Sequence, residues 1–268
     1  MWVQPLYYSD QQQLIGNMQA YSSNTGAIIF GLDRKFKNGA VLGFGGSYFN
    51  VTQKYCNFPD MHIDLQNFIG FIYGSFDVKD IMQIDWLASA GVNYYTENYI
   101  LNNIANASAS YIGQQYLGRV GFSKTYQKNS VQFIPQFNAN VLTLHQNGYT
   151  ENASGIPRTA NTSSVFTLGG GFKMISVYTR GNINTIPEIR AFIYYDLIAA
   201  DVNAITAMII GGPALRTSTT PGRSAGQFGG GVTFVVNKNF DCKFNYDLFL
   251  KNVYFNNVLS LKVIYYLR

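Results

Sequence analysis

The residues best suited to catalysis in this sequence are its two histidines, His62 and His145. A histidine acts as a general base when a nucleophile and a carboxylate complete the set. Asp60 and Asp64 lie close to His62, but carboxylates near a histidine in sequence are commonplace. We therefore expect that the protein is not an enzyme.

The remaining residue types suggest no cofactor. The glycine runs at residues 169–171 and 229–231 are not phosphate loops, because no helix is predicted to follow them. No plausible set of metal ligands is present, so we expect neither a metal nor a cofactor. Cys56 and Cys242 lie in segments that we predict at opposite ends of the fold, and we expect no disulfide between them.

The composition does not fit a soluble protein. Charged residues make up 12% of the 268 residues, and aromatic residues make up 16%. The charged share is about half of the usual value, and a soluble surface needs more charge, whereas a surface that faces lipid does not. The net charge of +5 is scattered without a basic cluster, so we expect no nucleic-acid partner.

Only one kind of membrane-spanning structure suits this sequence. No run of 18 or more apolar residues occurs, which excludes a transmembrane helix. Strands closed into a barrel are the other structure that can span lipid, because every backbone polar group is then paired within the protein.

The last segment, residues 258–268, shows the alternation that a spanning strand requires. One face carries Leu259, Leu261, Val263, Tyr265 and Leu267, and the other carries Ser260, Lys262, Ile264, Tyr266 and Arg268. This segment alone could equally be a half-buried strand of a soluble sandwich. The pattern recurs along the whole chain at the roughly 9–11 residues that a membrane-spanning strand needs, which favours a membrane barrel.

The alternation predicts twelve strands. They are residues 2–9, 25–36, 40–52, 62–78, 81–95, 110–126, 131–144, 164–178, 187–199, 226–236, 241–254 and 258–268. Short turns, such as the tight hairpin Lys37-Asn38-Gly39 and the turn near Gly181-Asn182, alternate with longer connections, as in outer-membrane barrels with short periplasmic turns. The sequence therefore predicts an all-β fold, a 12-stranded antiparallel transmembrane β-barrel of the bacterial outer membrane, with both chain ends on the periplasmic side.

The phase of each strand predicts which side chains meet lipid. We expect Trp86, Phe71 and Ile193 to contact lipid. In the fourth strand, Ile63, Leu65, Ile69, Phe71 and Tyr73 are predicted to face lipid, and Asp64, Gln66 and Gly70 the lumen. Pro135 in the seventh strand is predicted to mark a bulge, because proline cannot donate to an interior ladder.

Ten charged residues are predicted to face the lumen. They are Asp33, Asp64, Asp85, Arg119, Lys173, Glu188, Arg190, Asp196, Asp247 and Lys262. They could fill a wet interior with mutually paired charge, or some could contact a segment threaded through the barrel. Both interpretations stay open, since charges buried in protein need partners in either case.

Small residues on the predicted inner faces suggest an open lumen. The glycines concerned are Gly31, Gly43, Gly45, Gly91, Gly121, Gly169, Gly171, Gly229 and Gly231. A twelve-stranded barrel is wider than the roughly eight-stranded size that side chains fill, so we expect an aqueous passage. The longest connection, residues 200–225, has a partly apolar middle and could instead fold inward as a plug.

Several short motifs, in order along the chain, resemble one known family. They are Trp2-Val3-Gln4-Pro5, residues 21–33, Leu42-Gly43 with Tyr48, Ile134-Pro135-Gln136, Gly148-Tyr149-Thr150-Glu151, Pro187-Glu188, Gly229-Gly230-Gly231-Val232 and Asn245-Tyr246-Asp247. The whole chain resembles the translocator β-domain of autotransporters, the type V secretion proteins of Gram-negative bacteria. It is most similar to the rickettsial surface-antigen branch.

The resemblance implies an outer-membrane barrel that anchors and helps to export an N-terminal passenger. The expected partners are outer-membrane lipid, the barrel-assembly machinery, and the chain's own passenger and linker helix, with the barrel itself a monomer. Residues 1–268 are expected to be the translocator domain alone. Because neither a signal peptide nor a linker helix is recognisable before Trp2, we expect a processed or excised C-terminal portion of a longer protein.

The resemblance also assigns a role to the last strand. Val263, Tyr265 and Leu267 are implied to form the C-terminal signal that the assembly machinery reads. Family members end on Phe or Trp, whereas Leu267 occupies that place here and Arg268 follows it. A free-standing porin or surface adhesin barrel is the alternative, which a signal peptide directly before Trp2 would favour.

Overall fold

A computed structural model describes residues 1–14, 20–56, 58–79, 81–101, 105–152, 157–180, 183–199, 205–208, 214–217, 222–237 and 239–266. Within these residues no helix has the length and apolarity needed to cross a membrane.

Twelve long strands form the wall of the molecule in the described part of the chain. They are β1 (Trp2–Gln12), β2 (Tyr21–Lys35), β3 (Val41–Tyr55), β4 (Phe58–Val78), β5 (Met82–Leu101), β6 (Ala105–Ser123), β7 (Val131–Gln146), β8 (Asn161–Ser176), β9 (Ile183–Ala199), β10 (Ser224–Asn237), β11 (Phe240–Lys251) and β12 (Tyr254–Tyr265). Each strand pairs antiparallel with its sequence neighbours, and β12 pairs with β1. The predicted twelve-stranded antiparallel barrel is confirmed.

Six shorter strands accompany the wall among the residues that the structure describes. Tyr126–Lys128 pairs with β7 and Tyr178–Arg180 with β9. Tyr149–Thr150 pairs with Pro157–Arg158, and Ile205–Met208 pairs with Ala214–Thr217, which makes two small hairpins in the connections after β7 and β9.

The alternation of side chains explains why these segments form a barrel wall. In β9, Ile193 is 72% exposed on the outer face, whereas its neighbours Phe192 and Tyr194 are buried on the inner face. A closed ladder pairs the backbone of every strand, as a lipid environment requires. Trp86 in β5 lies on the outer face with Ile193, as expected, since it pairs with Gly74 and Val120 of the neighbouring strands.

The predicted tight turn between β2 and β3 is present. Gly39 has a positive φ of 86°, which is the left-handed region that glycine tolerates best. Its amide donates to the Phe36 carbonyl at 3.0 Å, and the Ala40 amide donates to the Asn38 side chain at 3.2 Å. The turn predicted at Gly181-Asn182 lies outside the described residues.

At the end of the barrel opposite the short turns, the strands are longer than predicted from the sequence. Residues 96–109 were expected to be a long connection, yet β5 runs to Leu101 and β6 begins at Ala105. Polar side chains such as Thr96 and Asn98 do not oppose strand pairing once the strand has left lipid for water. Polarity in this region therefore marks the edge of the membrane rather than the end of the strand.

The predicted phase of β4 is wrong. Phe71 pairs with Gly45 and Ile69 with Ser47 on the inner face of β3, so both side chains point into the lumen, where each is almost fully buried. The outer face of β4 carries instead Phe68, Ile72 and Phe76, which are all exposed. Both faces of β4 are apolar because the lumen itself contains apolar clusters.

Within the described ranges, two clusters of buried apolar side chains lie inside the barrel. One joins Trp2, Leu6, Tyr8, Ile29, Phe49, Ile69, Phe71 and Val258. The other joins Leu117, Leu142, Leu144, Phe192, Tyr194, Ala225, Phe249 and Tyr254. Leu87 of β5 packs against both, so apolar contact continues around much of the inner wall.

The bulge predicted at Pro135 is also wrong. Ser123 pairs with Gln136 and Tyr126 pairs with Phe133, which is the same register on both sides of the interruption. No extra residue is inserted into β7. The ladder is interrupted opposite Pro135, where the missing amide proton of proline has no replacement.

Candidate functional site: the barrel lumen

A network of charged side chains crosses the inner wall from β9 to β11. Arg190 donates from Nε to Oδ1 of Asp247 at 2.7 Å and from Nη2 to Oδ2 at 2.5 Å. Arg190 also donates from Nη1 to Glu188. A two-pronged guanidinium–carboxylate pair is among the stronger polar contacts in proteins, and it ties β9 to β11 across β10.

Two lysines extend this network around Glu188, whose side chain is only 5% exposed. Lys243 donates to Oε2 of Glu188 at 2.7 Å. Lys173 of β8 approaches the same oxygen at 4.0 Å, beyond hydrogen-bond distance. Glu188 is therefore surrounded by cations from two other strands and from its own.

Two further cations face the same part of the lumen. Nζ of Lys262 lies 4.0 Å from the centre of the Trp2 ring, a distance typical of cation–π contact. Nε of Arg119 is buried and has no hydrogen-bond partner. Among the described residues, neither cation has a carboxylate within ion-pair distance.

A second buried ion pair lies further along the same strands. Lys251 donates from Nζ to Oδ2 of Asp196 at 2.5 Å, and the Thr167 hydroxyl donates to Oδ1 at 2.7 Å. Both side chains of the pair are 6% exposed. This pair joins β8, β9 and β11 toward the long-loop end of the barrel.

Asp33 and Asp85 lie on the inner face near the short-turn end. Asp33 accepts a hydrogen bond from the Tyr73 hydroxyl at 2.8 Å, and that hydroxyl accepts one from Nε1 of Trp2 at 2.8 Å. The Asp85 carboxylate lies against Gly121 of β6.

Asp64 does not face the lumen, contrary to the prediction. It pairs with Thr52 on the outer side of β3, and the Thr52 hydroxyl donates to its Oδ1 at 2.8 Å. The error follows from the inverted phase of β4. Nε2 of His62 lies 3.7 Å from Asp64, whereas the other histidine, His145, contacts Thr162 at 2.7 Å on a different strand.

The histidines are therefore not brought together. Within the described residues, no group of three His, Cys, Asp or Glu side chains forms a candidate metal site. Cys56 and Cys242 are both free thiols.

The sequence prediction missed several charged lumen residues, among them Asp10 of β1 and Asp241 of β11 and the lysines Lys243 and Lys251. Both lysines lie in β11 at even spacing from Asp247, so they share its inner face. The period-two pattern that placed Asp247 in the lumen was sufficient to place these lysines there as well.

The inner-face glycines do not leave empty space, contrary to the prediction. A methyl group added at Gly31 would lie 2.7 Å from the Trp2 ring, and one added at Gly169 would lie 2.5 Å from Tyr194. Gly43 and Gly45 are covered in the same way by the rings of Tyr73 and Phe71. These glycines allow large side chains of neighbouring strands to lie flat against the wall.

A small hairpin packs over the inner face at the long-loop end. The Tyr149 ring stacks on Tyr111 at 4.1 Å between centres, and Tyr111 stacks on Tyr95 at 4.7 Å. The Tyr149 hydroxyl donates to Glu97 at 3.4 Å. Burial raises the pKa of Glu97, and burial raises the pKa of Tyr149 to about 12.

This hairpin covers part of the mouth, a role that was predicted only for residues 200–225. Most of residues 200–225 lie outside the described part of the chain, and the plug formed by them stays a prediction. Arg158 of the hairpin donates from Nε to Glu151 at 2.7 Å, which holds its two strands together.

The C-terminal strand closes the barrel against β1. Val263 and Tyr265 of the implied assembly signal lie on the outer face, and Leu267 lies outside the described residues. The Tyr265 amide donates to the Met1 carbonyl at 2.8 Å, and the amino terminus donates back to the Tyr265 carbonyl at 3.0 Å. The pairing between β1 and β12 is interrupted at Gln4 and Pro5 and continues from Leu6.

A closed barrel of antiparallel strands, with an apolar outer face and a charged lumen, defines an integral protein of the bacterial outer membrane. Residues 1–247 match the autotransporter beta-domain family, and the chain belongs to that family. It is an outer-membrane barrel of type V secretion that mediates the export of a passenger. The family is one of transport barrels rather than of enzymes. Among curated protein sequences, none matches this chain.

Solved structures show the same fold at low sequence identity. The translocator domain of the autotransporter NalP from Neisseria meningitidis has a TM-score of 0.80 and 13% identity, covering 99% of this chain and 88% of that one. The β-domain of the Bordetella autotransporter BrkA has a TM-score of 0.74 and 12% identity, with 99% and 98% covered. The transport unit of AIDA-I from Escherichia coli has a TM-score of 0.65 and 9% identity, with 99% and 90% covered. The narrower resemblance to the rickettsial surface-antigen branch stays a prediction.

Proposed function

We propose that residues 1–268 act as one translocator domain that holds the segment leading to its passenger inside the lumen. The observation that carries this proposal is the charged network of Glu188, Arg190, Asp247 and Lys243 on the inner wall. A barrel that served only as a lipid anchor would have no need for charged side chains along its lumen, whereas a peptide segment passing through the lumen needs polar partners along its path.

The lumen-facing charges are the groups that we propose to contact this segment. They are Asp33, Asp85, Arg119, Lys173, Glu188, Arg190, Asp196, Asp247 and Lys262. Asp64 is omitted because it lies on the outer face. Glu188, Arg190 and Asp247 already bond to one another and form the fixed part of the lumen wall. The cations that are not hydrogen-bonded to a carboxylate are free to bind the segment.

The chain is proposed to assemble as a monomer with the help of the outer-membrane barrel-assembly machinery. Val263, Tyr265 and Leu267 form the signal that the machinery reads, supported by the outward position of Val263 and Tyr265 on the closing strand. Tyr265→Ala is expected to reduce the folded fraction in the outer membrane, measured by heat-modifiable gel mobility. Tyr246→Ala, an outward tyrosine on β11, is the control and is expected to change it little.

The barrel is proposed to have no catalytic activity of its own. This proposal is supported by the separate positions of His62 and His145 on β4 and β7 and by a family that transports rather than catalyses.

The test of export is surface display of an unrelated passenger. A signal peptide and an epitope-tagged passenger are fused before Met1, and protease is added to intact Gram-negative cells. The epitope is expected to be degraded, because the passenger reaches the surface. The same passenger expressed without the barrel is expected to stay protected in the periplasm.

A folded barrel in the outer membrane with a fused epitope that remains protected would contradict the proposal. That outcome would favour the alternative of a free-standing porin or surface adhesin.

A further inference from the structure

The lumen contains a cavity of about 280 Å³ toward the short-turn end of the barrel. Among the described residues, five cations and two carboxylates line it, so its wall has an excess of three positive charges. The cavity reaches from β6 across to β1, and it is bounded by side chains of both apolar clusters, such as Leu6 and Phe192.

Both carboxylates of this cavity are already occupied. Asp247 accepts from Arg190 with both oxygens and also from Gln227 at 2.9 Å. Glu188 accepts from Arg190 with one oxygen and from Lys243 with the other. Arg190 and Lys243 are therefore both paired with carboxylates of the barrel wall.

The three cations left over are Arg119, Lys173 and Lys262. Nε of Arg119 is buried without a hydrogen-bond partner, and Lys173 stays 4.0 Å from the nearest oxygen of Glu188. Lys262 contacts the Trp2 ring and is attracted by Asp33 without forming an ion pair among the described residues. All three line the same cavity.

We propose that Arg119, Lys173 and Lys262 together bind a carboxylate group in this cavity. Cations held in a protein interior without a hydrogen-bonded carboxylate are costly, and a carboxylate accepts hydrogen bonds from a guanidinium and an ammonium at once. At roughly 30 Å³ per water molecule, the cavity holds a carboxylate and several waters. The ligand is either an acidic side chain of the segment held in the lumen, which rests on the proposed function, or a free organic anion.

The first experiment uses the full chain in detergent with sodium acetate as the probe. The midpoint of thermal unfolding is followed by heat-modifiable mobility, with chloride replaced by acetate at constant ionic strength. The midpoint is expected to rise with acetate at concentrations on the order of millimolar or above, as binding to the folded state alone predicts.

Two variants test whether these cations are responsible. Arg119→Gln and Lys173→Gln are each expected to raise the midpoint without acetate by a few degrees, since each removes part of the excess positive charge of the cavity. Each is expected to weaken or abolish the acetate response. Lys54→Gln, a change at an exposed lysine of β3 outside the cavity, is the control that keeps the wild-type response.

A second arm separates the two sources of carboxylate. The chain is extended before Met1 by a helical segment that bears either Glu or Gln once in each turn. A Glu segment that raises the midpoint more than the Gln segment, and that removes the acetate response, identifies the acidic side chain. Equal midpoints with a retained acetate response identify a free anion.

The proposal is overturned if acetate shifts the wild type and both variants equally, or if acetate has no effect and the two segments stabilise equally. Neither measurement requires transport. The acetate response can therefore be observed even if export fails in the display assay. Conversely, the absence of an acetate response would not contradict the proposed export function.

Discussion

At the scale of single residues, the direction in which a side chain points decides its energetic role. Phe71 is 4% exposed in the lumen and stacks on Trp2 at 6.2 Å, whereas Phe76 on the same strand is 42% exposed on the outer face. The two residues are chemically identical. Their difference lies entirely in the odd or even spacing along β4.

Phe71→Ala is expected to lower the free energy of unfolding by about 3–5 kcal/mol, the usual result for a buried aromatic side chain. Phe76→Ala is the matched control and is expected to cost much less, because lipid or detergent replaces its contacts. Urea unfolding in detergent measures both. Equal losses would show that β4 has no buried face at Phe71.

The buried pair of Asp196 and Lys251 gives a second expectation at this scale. Lys251→Met is expected to destabilise the barrel by about 3–5 kcal/mol, because it leaves an unpaired buried carboxylate. The double variant Asp196→Leu with Lys251→Met removes both charges and is expected to cost less than the single change. Equilibrium unfolding of the two variants compares them, and a double variant that is less stable than the single one would contradict the pairing.

At the scale of strands and hairpins, period-two alternation predicted the faces of β9 and β11 because their two sides differ in polarity. The alternation could not show which face of β4 is buried, because both faces are apolar. One face carries Phe68, Ile72 and Phe76, and the other carries Leu65, Ile69 and Phe71. The buried face is the one that contacts Trp2, which lies three strands away and packs against Phe71 inside the barrel. Such a contact depends on barrel closure and leaves no local pattern.

For the candidate site, the sequence predicted which side chains face the lumen but not which of them bond to one another. Glu188, Arg190 and Asp247 were placed on the lumen side by spacing alone. Their mutual bonds depend on the register of β9, β10 and β11 and on Gly229, where a methyl group would lie 2.1 Å from Asp247. No sequence pattern states that register.

The hairpin over the mouth is expected to loosen as the pH rises. Glu97 lies about 36 Å along the membrane normal from Gln83, for a strand with a rise of about 3.4 Å per residue and a tilt of about 40°, so it lies beyond the apolar band of about 25 Å. Burial raises its pKa above the ordinary value of 4.5. The folded state then holds the proton more tightly than the unfolded state does.

The resulting stabilisation is complete below pH 4.5 and is lost as the pH rises through the raised pKa. The groups that face Glu97 are Tyr149, Glu151, Arg158 and Tyr111. Hydrogen exchange of the Asn152 amide, which donates to the Ser108 carbonyl at 3.1 Å, is expected to show protection that falls over this range after correction for intrinsic rates. Glu97→Gln is expected to remove the dependence, and an unchanged pH profile in that variant would rule out Glu97 as its source.

At the scale of the whole molecule, the barrel combines an outer surface suited to lipid with an inner wall that is part apolar and part charged. The apolar clusters narrow the lumen, and the charged network and its three spare cations lie around the remaining cavity. We propose that a passenger segment held in this barrel passes through the lumen, beside this cavity, rather than along the outside of the wall.

Disulfide trapping of a stalled passenger distinguishes these two paths. Cys56 and Cys242 are first replaced by serine, and a single cysteine is placed in the segment before Met1. Ser260→Cys puts a partner thiol on the inner face of β12, beside the cavity, and Leu259→Cys puts one on the outer face, where Leu259 is 57% exposed. A segment inside the lumen is expected to form a cross-link to residue 260 and none to residue 259. A cross-link to residue 259 alone, with the passenger reaching the cell surface, would contradict it.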